Sequence, residues 1–326
     1  MTMQAAVIEA TGTPAVPRER PLPTPTGDEV VVAVSAAPIV PLDLLCAGGT
    51  SYFGAPAVPY VPGVQGVGVI AEESAARRRD DLPVGTPVWF ATSAGMAPGD
   101  GSMRAFATAA EHDVVPLPED ADPVLVAALG LSAVAAWMAL TLRGGLAAGE
   151  RVLVLGAGGV VGQAAIQLAR SAGAGRIVAA ARSARDLDRA RSLGADATVA
   201  LDGADLGVLA ERMAADGPVD LVVDPLFGVP AAAALHALRP HGRLVNLGSS
   251  AGETAPIDSA TLRSRSLRVL GYTNNELTPA QRAAALSHVV AEASAGRLTV
   301  AHEPVPLVDV TGVWSRTSGD RVVLVP

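Results

Sequence analysis

A short glycine-rich segment carries the clearest chemical signal in the sequence. Its residues are Gly156, Ala157, Gly158, Gly159, Val160, Val161 and Gly162. An apolar run typical of a strand, residues 151–155, precedes this segment, and residues 163–170 fit a helix. Glycines at a strand-to-helix turn let a phosphate approach the main chain, and the helix N-terminus stabilises the anion. The pattern therefore predicts a loop that binds the pyrophosphate of a dinucleotide.

The spacing of these glycines departs from the usual G-x-G-x-x-G pattern, because Val161 stands where the last glycine would fall. Two interpretations remain open. Either Gly156 makes the turn and Gly158 meets the pyrophosphate, or the evenly spaced Gly156, Gly159 and Gly162 share these tasks. In both, Gly162 allows the helix to pack closely on the strand.

The second strand of the predicted unit ends about twenty residues past the loop, where such folds recognise the adenosine ribose. Arg182 stands there, and Ser183 and Arg185 follow before the first carboxylate, Asp186. An acidic residue at this place would accept the ribose 2′-hydroxyl of NAD, whereas guanidinium groups suit a 2′-phosphate. We therefore expect the cofactor to be NADP(H). The alternative is that these arginines are only solvated surface.

The loop belongs to a region of alternating strands and helices that begins after Pro123. The predicted strands are residues 152–155, 176–180, 197–200, 219–223, 243–247 and 267–270. Helices are predicted between them, at residues 160–171, 186–193 and 230–238. Short apolar strands alternating with alanine-rich helices indicate a parallel sheet covered on both faces.

The first seventy residues have a different pattern. Short valine-rich runs, at residues 4–8, 29–34 and 66–71, are separated by clusters of proline and glycine. Short apolar runs separated by proline and glycine in this way predict a compact β domain. At the other end of the chain, a helix over residues 279–295 leads to a final strand at residues 321–325.

Composition and charge exclude several classes of protein. The chain is 50% hydrophobic and 17% charged with a formal net charge of -8, so we expect no nucleic-acid partner. We expect a cytoplasmic protein without a membrane partner, since the N-terminus lacks a secretory pattern. The apolar stretch 124–142 follows a helix-start pair, Asp122 and Pro123, and is interpreted as a buried helix. The single cysteine, Cys46, excludes an intrachain disulfide.

Segments along the whole chain resemble the medium-chain dehydrogenase/reductase superfamily, and within it the zinc-free quinone oxidoreductase and double-bond reductase branch. The resemblance lies in residues 61–68, 85–88, 149–154, 193–196 and 238–246. It implies an α/β fold with two domains: a GroES-like β-rich catalytic domain, residues 1–122 and 272–326, and a doubly wound parallel-sheet Rossmann domain, residues 123–271. It also implies a small-molecule substrate and a homodimer paired edge to edge through the Rossmann sheets.

The resemblance also locates the positions at which zinc members of the superfamily bind metal. Val40 stands at the expected cysteine and Val64 at the expected histidine, and the four-cysteine structural lobe is missing. Valine offers a metal no lone pair, so we expect no metal site. Without a Lewis acid to stabilise an alkoxide, the chemistry favoured is reduction of electron-poor double bonds.

Enoyl reductases of this branch carry a tyrosine at about the position of Tyr52, which makes it our first candidate proton donor. The alternative is that Tyr52 only lines the pocket. Asp43 matches an acidic position and could order a proton relay, although we favour a structural role in capping the following helix. With Tyr52, the residues Val40, Val64 and Asn274 are expected to line the substrate pocket.

Further cofactor contacts follow from the resemblance. They are expected at Ser132 and at the strand-end residues Asp224, Leu247, Gly248 and Ser249. Strand ends of this kind face the crevice where dinucleotides bind.

The function implied is an NADPH-dependent reductase of an activated C=C bond in an enone, enoyl or quinone-type substrate, natural-product intermediates included. One alternative is a small-quinone oxidoreductase. Another is an NADP-binding protein whose activity is lost or repurposed, for example as a cyclase. Val40 and Ala135, which replace an asparagine and a threonine common in relatives, keep this second alternative open.

Overall fold

The computed structural model of the chain describes residues 1–76, 79–203, 205–316 and 320–326. In chain order, the strands are β1 (Thr2–Val7), β2 (Val16–Pro21), β3 (Glu29–Pro38), β4 (Gln65–Glu72), β5 (Pro87–Ala91), β6 (Phe106–Ala110), β7 (Val114–Pro116), β8 (Arg151–Leu155), β9 (Arg176–Ala181), β10 (Ala197–Ala200), β11 (Val219–Asp224), β12 (Leu238–Asn246), β13 (Arg268–Gly271), β14 (His302–Pro306) and β15 (Arg321–Val325).

The α-helices are α1 (Pro41–Ala47), α2 (Pro123–Met138), α3 (Val160–Ser171), α4 (Ala184–Ser192), α5 (Leu206–Met213), α6 (Gly228–Ala237), α7 (Ser259–Ser264), α8 (Pro279–Ser294) and α9 (Val310–Val313). A π-helical turn, Ala139–Arg143, continues α2, and short 3-10 turns lie at Glu111–Asp113, Asn274–Glu276 and Leu307–Asp309.

The chain forms two compact units. The β-rich unit comprises Met1–Gly130, Leu286–Gly296 and Val300–Pro326. The parallel-sheet unit comprises Leu131–Ala285 and Arg297–Thr299. Residues 272–285, which the sequence assigned to the catalytic domain, lie with the parallel sheet. There the Tyr272 amide donates to the Asn246 carbonyl oxygen at 2.9 Å, and Arg143 binds both carboxylate oxygens of Glu276 at 2.5 Å.

The β-rich unit is built around β3, which pairs antiparallel with β4, β6 and β15. The strand order is β14-β15-β3-β4-β5-β7, with β6 on β3, and β1 and β2 form a separate antiparallel pair. Valines that alternate along β3, among them Val30 and Val32, are buried in its core. The predicted β domain is thus confirmed, and its strands extend a few residues beyond the predicted runs.

The parallel-sheet unit has the strand order β10-β9-β8-β11-β12-β13, and all its neighbouring strands are parallel. This is the doubly wound Rossmann order, in which successive strands are added to one side as far as β10 and then to the other side from β11 onward, so the order reverses between β8 and β11. All six predicted strands are confirmed. Strand β12 begins at Leu238, five residues before its predicted start. His241, whose backbone is left-handed with a φ of 64°, lies inside this strand rather than before it.

Helix α2 begins at Pro123, where the Asp122 carboxylate accepts the amide of Val124 at 2.9 Å. Its backbone is kinked at Gly130, with φ 30° and ψ -132°, and the boundary between the two units falls at this residue. Among the described residues, the run Pro123–Arg143 is long and apolar enough to cross a membrane by length and composition alone, with a mean hydropathy of 2.1. Of its most apolar window, 61% is buried inside the protein, as in a core helix.

Candidate functional site

The glycine segment forms the turn between β8 and α3. Gly156 has a φ of +65°, a left-handed conformation that glycine adopts without strain. A Cβ added at Gly162 would collide with the Gly156 carbonyl oxygen, so only glycine lets the helix approach the turn this closely. The Ala157 amide donates to the Ala180 carbonyl oxygen of β9 at 3.0 Å, which ties the turn to the sheet.

Within this turn, Gly158 and Gly159 are not equivalent. A Cβ at Gly159 would meet only the Gly156 carbonyl oxygen, at 3.6 Å, and Gly159 is exposed. Gly158 is half-buried, and a Cβ there would lie 2.5 Å from the Asp186 carboxylate carbon. The open approach to the main chain is therefore at Gly159, which favours the evenly spaced glycine interpretation.

The N-terminus of α3 follows directly after Gly159, its N-cap residue. The amides of Val160, Val161 and Gly162 form the first turn and have no intrahelical acceptors. Gln163 steadies the turn, since its side-chain amide donates to the Gly158 carbonyl oxygen at 2.9 Å. Together these groups fit the pyrophosphate of a dinucleotide.

Beyond β9, the predicted ribose-recognition residues are all exposed. Arg182 makes no hydrogen bond or ion pair within the described part of the chain. Ser183 caps α4: its hydroxyl donates to the Asp186 carboxylate at 2.6 Å and accepts the Asp186 amide at 3.1 Å. This cap explains why α4 begins at Ala184, two residues before its predicted start. The Ser183 hydroxyl is thus already engaged, and the contacts of Arg182 and Arg185 with a 2′-phosphate stay predictions.

At the ends of β11 and β12, Asp224 is fully buried and holds the turn that follows β11. Its carboxylate accepts the amides of Leu226 at 2.9 Å and Phe227 at 2.8 Å. Burial raises the pKa of Asp224, and these hydrogen bonds oppose the rise. The carboxylate is enclosed by the protein and positions this loop, and the expected cofactor contact at Asp224 stays a prediction.

Asn246 links these two strand ends, although nothing in the sequence singled it out. Its amide donates to the Asp224 carboxylate at 3.0 Å and to the Gly248 carbonyl oxygen at 2.8 Å. The Leu247 amide donates to the Asp224 carbonyl oxygen at 2.9 Å, and the Ser249 hydroxyl donates to Glu253 at 2.5 Å. A polar residue at the end of β12, paired across the sheet with the aspartate that ends β11, is the signal that could have identified it.

Asn274 was expected in the substrate pocket, yet its side chain is engaged inside the parallel-sheet unit. Its amide donates to the Leu131 carbonyl oxygen at 2.9 Å and its oxygen accepts the Tyr272 hydroxyl at 2.7 Å. These bonds hold the kinked part of α2, where Ser132 lies half-buried. A substrate contact by Asn274 would have to compete with both.

In the β-rich unit, Asp43 brings together the two positions at which zinc members carry ligands. Its carboxylate accepts the amide of Val40 at 2.9 Å and the amide of Val64 at 3.0 Å. Asp43 is only 2% exposed, and the Val40 bond caps α1. The structure therefore gives Asp43 the capping role that we favoured.

Burial raises the pKa of the Asp43 carboxyl to about 6. The amides of Val40, Val64 and Gly63 and the charge of Arg321 act in the opposite direction, but burial is the larger effect. Burial also lowers the pKa of Arg321 to about 10. A buried carboxyl with this pKa changes its charge near neutral pH.

The residues at the expected zinc position do not fit a metal ion. Val40 is 5% exposed and Val64 1%, and neither side chain has a lone pair to donate. Nearby, Cys46 is buried, and burial raises the pKa of its thiol. Within the described ranges, no group of three histidine, cysteine, aspartate or glutamate side chains is placed to bind a metal.

Tyr52 lies on the surface of the β-rich unit, 80% exposed, with its ring 4.4 Å from that of Phe53. Beside it is a cavity of about 480 Å³, lined by two loops, residues 53–60 and 95–100, in which alanine, glycine and proline predominate. Tyr60 lines this cavity, and sequence reasoning missed it. Its hydroxyl is buried with no hydrogen-bond partner among the described residues, and burial, with Asp43 and Cys46 nearby, raises its pKa.

Comparison with known proteins gives consistent matches in both units. Residues 160–291 match the zinc-binding dehydrogenase family, and residues 26–119 match the alcohol dehydrogenase GroES-like domain. Human quinone oxidoreductase is 29% identical over 266 residues, which cover 81% of this chain and 78% of that protein. The zinc-binding dehydrogenase family is named for binding zinc. The valines at positions 40 and 64 of this chain do not support zinc binding.

Two further relatives extend the comparison. The spectinabilin polyketide synthase system protein NorB of Streptomyces orinoci is 34% identical over 222 residues, 65% of this chain, and the chain spans 10% of its length. The solved quinone oxidoreductase of Thermus thermophilus, described with its NADPH complex, is 27% identical with a TM-score of 0.81. That likeness covers 99% of this chain and 100% of the other.

Proposed function

We propose that this chain, which belongs to the medium-chain dehydrogenase/reductase superfamily, is a zinc-independent, NADPH-dependent reductase of an activated carbon–carbon double bond. The observation that carries the proposal is the pair of buried valines, Val40 and Val64, which Asp43 holds where zinc members bind metal. Such a site lacks the Lewis acid with which a zinc enzyme stabilises the alkoxide in alcohol oxidation. Hydride addition to an enone or quinone needs no metal, because the acceptor is already electron-poor.

The proposed cofactor is NADPH because Arg182 is exposed and unpaired among the described residues, directly after β9. No acidic residue ends that strand, so the ribose 2′-hydroxyl of NADH lacks its usual acceptor there. The Thermus thermophilus relative, which is described in complex with NADPH, supports this choice.

When bound, the cofactor supplies a hydride to the substrate. The chain's own groups would hold it in place: the α3 N-terminus and Gly159 bind the pyrophosphate, and Arg182 binds the 2′-phosphate. Asn246 fixes the Gly248 carbonyl oxygen and so the course of the loop after β12. We place the bulky apolar part of the substrate in the cavity beside Phe53, whose volume of about 480 Å³ suits a small organic molecule.

The reduction also needs a proton donor for the product. The Tyr52 hydroxyl is exposed, so it exchanges protons with water and competes with water as the donor. We therefore assign Tyr52 to the rim of the substrate region and expect only a modest contribution to the rate.

A second candidate function is reduction of small quinones, which the names of the human and Thermus thermophilus relatives favour. The likeness to a polyketide synthase protein favours an enoyl group on a natural-product intermediate instead. Both are reductions of electron-poor π systems, so a panel of substrates that tests the function has to include both.

We also propose a homodimer formed through β13. This strand lies at the edge of the parallel sheet, and its Val269 is 41% exposed. An exposed edge strand can pair with the same strand of a second copy. Light scattering should show a dimer that Val269→Lys dissociates, and a monomeric wild-type protein would contradict this proposal.

The functional proposal is tested by NADPH consumption against a panel of enones, enoyl thioesters and quinones. We expect turnover of at least one substrate class, with NADPH preferred over NADH. Stoichiometric binding of NADPH without its oxidation across the whole panel would contradict both reductase functions. It would favour an NADP-binding protein whose activity is lost or repurposed.

A further inference from the structure

One carboxylate lies against the cofactor loop itself. A Cβ added at Gly158 would meet the Asp186 carboxylate oxygens at 2.6 and 2.9 Å, so this carboxylate already fills the space over the Gly158 α-carbon. Asp186 is half-buried in the first turn of α4. A side chain at position 158 would therefore have to displace the Asp186 carboxylate.

The Asp186 carboxylate is held in this position by local structure. The Ser183 hydroxyl donates to it at 2.6 Å and accepts the Asp186 amide at 3.1 Å, a reciprocal cap at the start of α4. In the described part of the chain Asp186 has no arginine ion-pair partner, whereas Asp188, two residues on, pairs with Arg191 at 2.6 Å. Its negative charge is therefore fixed in place and not neutralised by an ion pair.

In a doubly wound fold, the adenosine ribose lies between the glycine loop and the end of the second strand. In this chain those two places are Gly158 and Arg182, and the Asp186 carboxylate lies against the first of them. A carboxylate there can accept a hydrogen bond from a ribose hydroxyl, and it repels a 2′-phosphate.

We propose that Asp186 is a selectivity residue for the cofactor: its carboxylate faces the adenosine ribose and opposes Arg182, lowering the preference for NADPH over NADH. This inference rests on the proposed dinucleotide function and deepens it. Arg182 attracts the 2′-phosphate and Asp186 repels it, so the chain binds NADPH less selectively than Arg182 alone would allow.

The charge involved sets the size of the effect. A phosphate monoester carries a charge of about -1.5 to -2 at neutral pH, so it interacts with the carboxylate more strongly than a single charge would. For partly exposed charges this predicts a gain in NADP⁺ affinity of about five- to tenfold when the Asp186 charge is removed. NAD⁺ has no such phosphate, and its affinity should stay unchanged or fall with the lost hydrogen bond.

The test is isothermal titration calorimetry of NADP⁺ and NAD⁺ with the wild-type protein, Asp186→Asn and Asp186→Ser. Both substitutions leave the Ser183 cap of α4 in place and keep a side-chain oxygen that can accept the Ser183 hydroxyl. Asp188→Asn is the matched control, since it makes the same change in net charge on the same helix away from Gly158. Binding is measured without substrate, so the result does not depend on turnover.

We expect both Asp186 variants to raise the NADP⁺ to NAD⁺ affinity ratio about fivefold or more, and Asp188→Asn to leave it unchanged. An unchanged ratio in the Asp186 variants, or an equal rise in Asp188→Asn, would overturn the inference while leaving the proposed function intact. Failure of the wild-type protein to bind either dinucleotide would instead overturn the proposed function, and the inference with it.

Discussion

Asp43→Asn should change how the stability of the protein depends on pH. The Asp43 carboxyl has an ordinary pKa of 3.8, which burial raises to about 6 in the folded protein. A carboxyl whose pKa is raised by folding favours the folded state when it is protonated. Its stabilising contribution is therefore complete below pH ~4 and is lost as the pH rises through ~6.

The size of this effect follows from the two pKa values. A difference of about two units, at 1.36 kcal/mol per unit, amounts to about 3 kcal/mol. The free energy of unfolding of the wild-type protein should fall by this amount, relative to Asp43→Asn, between pH ~4 and ~7. The asparagine also places an amide against one of the two backbone donors, Val40 or Val64, which lowers stability equally at every pH.

Urea denaturation at several pH values measures this difference. Other titrating groups are common to both proteins, so they cancel when the two curves are subtracted. Asp188→Asn, which changes an exposed aspartate on α4, is the control for the loss of one negative charge. A wild-type minus Asp43→Asn difference that is flat, or that rises with pH, would refute the assignment of a raised pKa to Asp43.

Four further substitutions test separate parts of the structure. Arg182→Ala should weaken NADP⁺ binding about tenfold while sparing NAD⁺ in calorimetry, and equal losses would refute the 2′-phosphate assignment. Tyr52→Phe should lower kcat by less than about threefold, whereas a proton donor would cost about a hundredfold or more. Gly162→Ala should destabilise by about 1–3 kcal/mol in urea, since its Cβ meets the Gly156 carbonyl oxygen, and an unchanged midpoint would contradict this packing. Arg243→Met should cost about 3–5 kcal/mol, because Arg243 holds the partly buried Glu150 at 2.6 Å, and a neutral effect would mean that the ion pair does not stabilise the fold.

The parallel-sheet unit could be predicted from the sequence because its signals are local. Each of its strands contains a short apolar run, and the turn from β8 to α3 has its glycines within seven residues. The left-handed Gly156 and the tightly packed Gly162 have the roles that glycine chemistry assigns them. Patterns of this kind depend on neighbours along the chain, which the sequence displays directly.

Several features of the site could not be predicted, because they depend on residues far apart in the chain. Asp43 reaches the amide of Val64, 21 residues away, and Asp186 lies against Gly158. Asn246 crosses from one strand end to another. No local pattern specifies these contacts, since each arises only once the elements have packed.

Reduction of an activated carbon–carbon double bond is tested most directly by following the transferred hydrogen. The protein would be given NADPH carrying deuterium at the nicotinamide C4 position, with an α,β-unsaturated ketone or enoyl thioester, and the product examined by mass spectrometry and NMR. We expect a saturated product with one deuterium on the β-carbon. An alcohol labelled at its carbonyl carbon, or a substrate recovered without label while NADPH remains bound, would contradict it.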